Sequence, residues 1–171
     1  MKRLLENFFF CLLILAPVQS FAKAETAKIT IAGADLRNPI DITDPKILSH
    51  FRVWDGLGTS SVEANSFIID WSKGPAAEPP SRFKRYQVSF FAKLPRPQLV
   101  YVVFYEYDPS TNQGYVYFPG KTDEWYQLNA STILRGDEGN WYHSSKAWDE
   151  TAWHLIYETA TDRSHSKQPR S

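Results

Sequence analysis

Residues 99–118 read LVYVVFYEYDPSTNQGYVYF, and this stretch decides the fold class. Leu99–Tyr107 is apolar at successive positions until Glu106, as in a strand covered on both faces. Asp108-Pro109-Ser110-Thr111-Asn112-Gln113-Gly114 is turn chemistry throughout. Tyr115-Val116-Tyr117-Phe118 then returns, and the pair predicts a β-hairpin closed by Pro119-Gly120.

Upstream of the hairpin, RYQVSFFAKL from Arg85 predicts a strand that ends before Pro95 and Pro97. Lys73–Arg82, with Pro75, Pro79 and Pro80, reads as a loop. Ser66–Trp71 (SFIIDW) and Lys28–Ala32 (KITIA) read as further strands, and Trp54–Ser61 as a loop. Asp44-Pro45 opens a short helical turn, because Asp caps well and Pro suits the first helical position. Downstream, short strands are expected near Glu124–Leu128, Thr132–Arg135 and Asn140–His143. Ser145–Ala160 fits two periods. Trp153, Leu155 and Tyr157 alternate as in a strand, whereas Trp148, Ala152, Leu155 and Ile156 fit a helix face; the strand is the expectation. About eight short strands and one helical turn point to an all-β fold, an antiparallel β-sandwich, with a small β-barrel as the alternative.

The N-terminus has the layout of a secretory leader. Lys2 and Arg3 precede an apolar run, Phe8–Val18, and Ala22 and Ala24 form an A-x-A cleavage site. That run is about half the roughly 20 residues a membrane-spanning helix needs. Cys11 lies inside the run after three Phe residues, which argues against lipid attachment. The expected organisation is a signal peptide over 1–24, a single β domain over 25–160 and a flexible polar tail over 161–171. The protein is then exported to the periplasm or beyond, with no membrane span after processing.

The chain carries 19 basic and 19 acidic side chains, and cleavage removes three of the former and one of the latter. The mature net charge is near −2, which argues against a nucleic-acid partner. The single cysteine leaves with the leader, so the mature chain has no disulfide.

No motif of a catalytic, cofactor or metal site rises above its plain structural reading. Asp108–Gly114 has alternate oxygen ligands, yet Gln113 stands where a calcium loop requires Gly. Asp35, Asp41 and Asp44, and later Asp123, Glu124, Asp137 and Glu138, could pair for hydrolysis only at a defined separation in space. His50, His143, His154 and His165 lack metal-binding spacing, and His143-Ser144-Ser145 is adjacency without a triad. Gly56-Leu57-Gly58 lacks the third glycine of a dinucleotide fingerprint, and Asn129-Ala130-Ser131 matches a glycosylation acceptor by spacing alone.

The aromatic content stands out: all six Trp and nine Tyr lie beyond the leader. Trp125, Tyr126, Trp141, Tyr142 and Trp148, with Trp153 nearby, are the candidate binding residues, since exposed rings stack on sugars and partner side chains. The competing reading makes them core. The leading expectation is an exported non-catalytic β domain binding a carbohydrate, an envelope component or a protein partner through these rings. A structural or accessory envelope protein with no small-molecule site is the first alternative. A small secreted hydrolase using Asp, Glu and His is the second.

Overall fold

The computed structural model describes residues 24–54, 67–79 and 82–165. The leader's residues 1–23 and most of the 54–61 loop lie outside them. Seven strands are described: β1 (Thr26–Gly33), β2 (Ile40–Ile42), β3 (Pro75–Ala76), β4 (Arg85–Ala92), β5 (Gln98–Asp108), β6 (Gln113–Tyr117) and β7 (Trp141–His143). They form one antiparallel sheet in the order β2-β1-β4-β5-β6-β7-β3, open at β2 and β3 rather than closed into a barrel. The mostly β, sandwich-like class expected from sequence holds, with every described strand in a single sheet. Three α-helices accompany it: α1 (Pro45–His50), α2 (Tyr126–Thr132) and α3 (Lys146–His165). Among the described residues, no helix is long and apolar enough to cross a membrane.

The hairpin forms as its sequence dictates. Phe104 pairs with Tyr117 and Asp108 with Gln113. The Asp108 carboxylate folds back on its own turn, accepting from the Ser110 amide at 2.9 Å and the Ser110 hydroxyl at 2.6 Å. The oxygen-rich loop is therefore an Asx turn, with Asn112 in the left-handed region at φ 56°. The β5 residues Tyr101, Val103 and Tyr105 are fully buried on one face, and Val102 on the other. Even Glu106 is buried, held by the Arg85 guanidinium at 2.7 Å.

The core layer lies on the face carrying Ile29, Ile31, Val88, Phe90, Tyr105 and Phe118. It is covered by Leu48, Phe51 and Val53, by Phe67–Ile69, and by Trp148, Ala152 and Ile156 of α3. Asp44 caps α1 as expected, accepting from the Lys46 amide at 2.8 Å.

Four local expectations are corrected. Of the strand expected over Ser66–Trp71, residues 67–71 are described and form none: Ile69 makes one isolated bridge to Ser144, and Asp70 caps a 3-10 turn at Trp71–Lys73. The segment expected as strands around Glu124–Arg135 contains α2, whose Gln, Leu and Ala suit a helix. Ser145–Ala160 is helical, because the Ser145 hydroxyl accepts from the Trp148 amide at 3.1 Å and caps α3. Trp148, Ala152 and Ile156, four residues apart, then share the buried stripe. The helix continues to His165, so 161–165 of the expected tail are helical and 166–171 lie outside the described residues.

Asn129 explains why α2 sits where it does. β6 ends opposite Phe104, so the Val102 backbone has no ladder partner on that side. Asn129 supplies one: Val102 N–H donates to its Oδ1 at 2.9 Å, and its Nδ2 donates to the Val102 carbonyl at 2.7 Å. The Asn129 side chain is fully buried in this role, so the folded chain presents no glycosylation acceptor there. Asn129→Ala orphans two buried backbone groups at roughly 1–3 kcal/mol each. We expect a loss of about 2–4 kcal/mol in urea unfolding; a wild-type midpoint would remove Asn129 from this role.

Candidate functional site

The five sequence-derived residues are not brought together. Trp148 is fully buried, with its ring edge-on to Phe51 at 5.2 Å and Tyr105 at 6.0 Å. Tyr142 is core, edge-on to Trp71 at 5.2 Å, and its hydroxyl donates to Asp137 at 2.7 Å. Burial and Asp137 together push its phenol pKa well up. Trp141 points to the opposite sheet face, 5.0 Å from Tyr117 and beneath the Arg85 guanidinium. Trp125 and Tyr126 are half-buried at the start of α2. Adjacent strand residues point to opposite faces, so Trp141 and Tyr142 cannot share one platform.

A different aromatic group lines the clefts. Trp153 of α3 stacks on Tyr107 of β5 at 4.4 Å, with the rings within 19° of parallel. Tyr157, one turn on, lies 6.4 Å from Trp153 and is 57% exposed. Tyr107 is buried beneath, and its hydroxyl donates to Asn112. On one side of this ridge lies a cleft of about 450 Å³, walled by Lys73, Asn112, Gln113, Lys146 and Glu150. On the other lies a cleft of about 400 Å³, walled by Arg82, Phe83, Lys84 and Ser110. Both are lined by Tyr107 and Trp153. Trp153 and Tyr157 at i, i+4 would have signalled the ridge had the segment been read as a helix.

The ridge is held in place by Asp149, a carboxylate only 7% exposed. Its Oδ1 accepts from the Tyr105 hydroxyl at 2.9 Å and from the Ser144 hydroxyl. Its Oδ2 accepts from the Gly114 amide at 3.0 Å. One side chain thus joins α3 to β5, β6 and the end of β7. Burial raises the Asp149 pKa above the ordinary carboxylate value, against the lowering effect of these donors. With both oxygens engaged, the chemistry of Asp149 here is anchoring.

Other titratable groups singled out by the sequence are similarly engaged. The Ser144 hydroxyl serves Asp149, while the His143 imidazole packs against Tyr115 at 5.3 Å; they form no base–nucleophile pair. Burial lowers the His143 pKa, and the Lys73 charge lowers it further. Asp35 binds Lys84 at 2.6 Å, Asp41 binds Lys28 at 2.8 Å, and Asp123 accepts from the Tyr117 hydroxyl at 2.8 Å. Among the described residues, no group of three His, Cys, Asp or Glu is placed to hold a metal ion. No protein family, no curated protein and no solved structure matches this chain.

Two outcomes test the anchor. A Cβ at position 114 would fall onto the Asp149 carboxylate and the Ser144 hydroxyl, and 2.6 Å from the Tyr105 ring. Gly114→Ala should therefore cost about 3 kcal/mol or more. Gly136→Ala, with open space but φ +82°, should cost about 1–2 kcal/mol. Equal losses in urea unfolding would contradict the crowding argument. Asp149→Asn keeps one acceptor oxygen where the carboxylate has two, so the Tyr105 and Ser144 hydroxyls or the Gly114 N–H must give up a bond, and it should cost about 1–3 kcal/mol. Because the folded-state pKa of Asp149 is raised, the folded wild type binds the extra proton, and the contribution of this one group to stability rises as pH falls toward 3.8. The gap between wild type and Asp149→Asn should widen from pH 7.5 to pH 4.5; a narrowing gap would reverse the sign of the shift.

Proposed function

We propose that the protein is an exported, non-catalytic binding domain whose aromatic ridge engages a carbohydrate. The observation that carries this reading is the Tyr107–Trp153 stack, continued by the exposed Tyr157 between two clefts. A flat ring supported from behind offers an apolar surface at low entropic cost, which suits the C–H face of a sugar. Along the larger cleft the Asn112 amide nitrogen can donate to a hydroxyl group, while Gln113 is held by Lys73 and by the Gly114 and Ser144 carbonyls and forms a fixed polar wall. Clefts of this size fall in the range of small-ligand sites, roughly 300–1,000 Å³.

Export is supported by the leader pattern of residues 1–24 and by where it ends. Cleavage after Ala24 leaves the whole of β1, and also the Glu25–Lys93 ion pair at 2.9 Å. Expression from the full gene in a bacterial host should yield a periplasmic or secreted chain starting at Glu25. N-terminal sequencing that finds Phe8–Val18 retained on the exported protein would overturn this part of the reading.

The two classes of tryptophan separate binding from folding. Trp148→Ala should cost about 3–5 kcal/mol of stability, as core aromatic truncations do. Trp153→Ala loses its ring contacts and part of its packing against the core, and should cost less than that, about 1–3 kcal/mol. It should nevertheless weaken retention in affinity electrophoresis through immobilised polysaccharides by tenfold or more. Wild-type retention by Trp153→Ala would end the carbohydrate reading at this ridge.

A further inference from the structure

The two clefts beside the ridge are alike in size and unlike in charge. In the larger one each lysine faces its own carboxylate: Lys73 lies 3.3 Å from Asp70, and Lys146 lies 3.7 Å from Glu150. Asp149 is consumed by its three donors. Counting Asp149, the lining of that cleft carries three carboxylates against two lysines.

The lining of the smaller cleft has the opposite sign, with two cations, Arg82 and Lys84, against the one carboxylate of Asp108. Lys84 is bound by Asp35 at 2.6 Å, and the Tyr86 hydroxyl donates to the same carboxylate at 3.1 Å. Asp108 is turned toward its own loop by the Ser110 amide and hydroxyl, which fix the carboxylate without cancelling its charge. Its pKa is lowered mainly by those bonds, and the Arg82 charge is only a minor contributor. Arg82 is left over. It is exposed, its guanidinium lies 5.2 Å from the centre of the Phe83 ring, and it has no carboxylate partner among the described residues. Phe83 is itself stacked on Tyr115 at 6.4 Å, so the surface beneath Arg82 is backed by a second ring. A guanidinium lying over an aromatic face keeps its outer N–H groups for a planar oxyanion, which it can bind through two parallel hydrogen bonds.

We infer that the ligand is an acidic glycan, with one sugar ring on Trp153 and a carboxylate-bearing sugar in the smaller cleft, gripped by Arg82. This rests on the carbohydrate reading and adds its substrate class. Because both clefts share the Trp153–Tyr107 ridge, the bound portion is a chain crossing that ridge. Arg82 is a specificity residue under this inference, and Trp153 the affinity residue.

The test uses the mature protein and pairs of polymers differing only in charge: polygalacturonate, alginate and hyaluronate, each beside its methyl ester. Affinity electrophoresis and titration calorimetry would be run in 50 and 500 mM NaCl. Expected is binding to at least one acidic polymer, tenfold or more tighter than to its neutral ester, with the preference shrinking at high salt. Arg82→Gln should abolish that preference and keep the weak binding to the ester, whereas Trp153→Ala should lose both. Equal binding of acid and ester, unchanged by Arg82→Gln, would overturn the charge inference and leave the carbohydrate reading standing. Failure of wild type to bind any polymer, charged or neutral, would overturn both. Binding of poly-glutamate as tight as that of the best uronate would replace the glycan with an acidic protein partner.

Discussion

The arrangement depends on one buried carboxylate. Asp149 sits where β5, β6 and the end of β7 meet, and it accepts hydrogen bonds from all three. A buried charge without a cation partner is unfavourable unless its oxygens are fully hydrogen-bonded. Here two hydroxyls and one backbone amide supply those bonds. The cost of burial is therefore tied to a single position of α3: a helix shifted along the sheet would break several bonds at once and leave the carboxylate exposed to apolar surroundings. Gly114 must be glycine for the same reason, since any side chain there would occupy the space of the carboxylate.

That position of α3 determines the surface. Trp148, one residue before Asp149, is driven into the core between Phe51 and Tyr105. Trp153, four residues after Asp149, is brought over Tyr107, and Tyr157 follows one turn later. Buried and half-exposed tryptophans thus sit on one helix, with Trp148 serving stability and Trp153 building the ridge. The opposite sheet face is organised around Arg85, which neutralises buried Glu106 and lies over the Phe104 and Trp141 rings. Those rings hold the second face together and are poorly placed to act as a ligand platform.

Much of the sheet was legible in the sequence because its signals are local. Leu99–Phe118 carries its own turn, and Asp44-Pro45 carries its own cap. α2 was not legible, since its reason for existing is Asn129, whose partner Val102 lies 27 residues away. α3 was misread because rings occupy both its buried and exposed sides, which blurs the 3.6-residue period. The Ser145 cap and Asp149 in the first turn were the available clues. The site was missed for a related reason. Sequence proximity grouped Trp141 with Tyr142, whereas the ridge joins Tyr107 to Trp153 across 46 positions. Only the helix spacing of Trp153 and Tyr157 was visible beforehand.

Exchange of the Gly114 amide measures the anchor most directly. Gly114 sits in β6 opposite Tyr107, and its N–H donates to Asp149. Native-state hydrogen exchange of the isotopically labelled protein should place this amide among the slowest, opening only with the sheet and α3 together. If it exchanges as fast as the amides of the Asp108–Asn112 turn, Asp149 does not hold α3 to the sheet, and the placement of the ridge loses its physical basis.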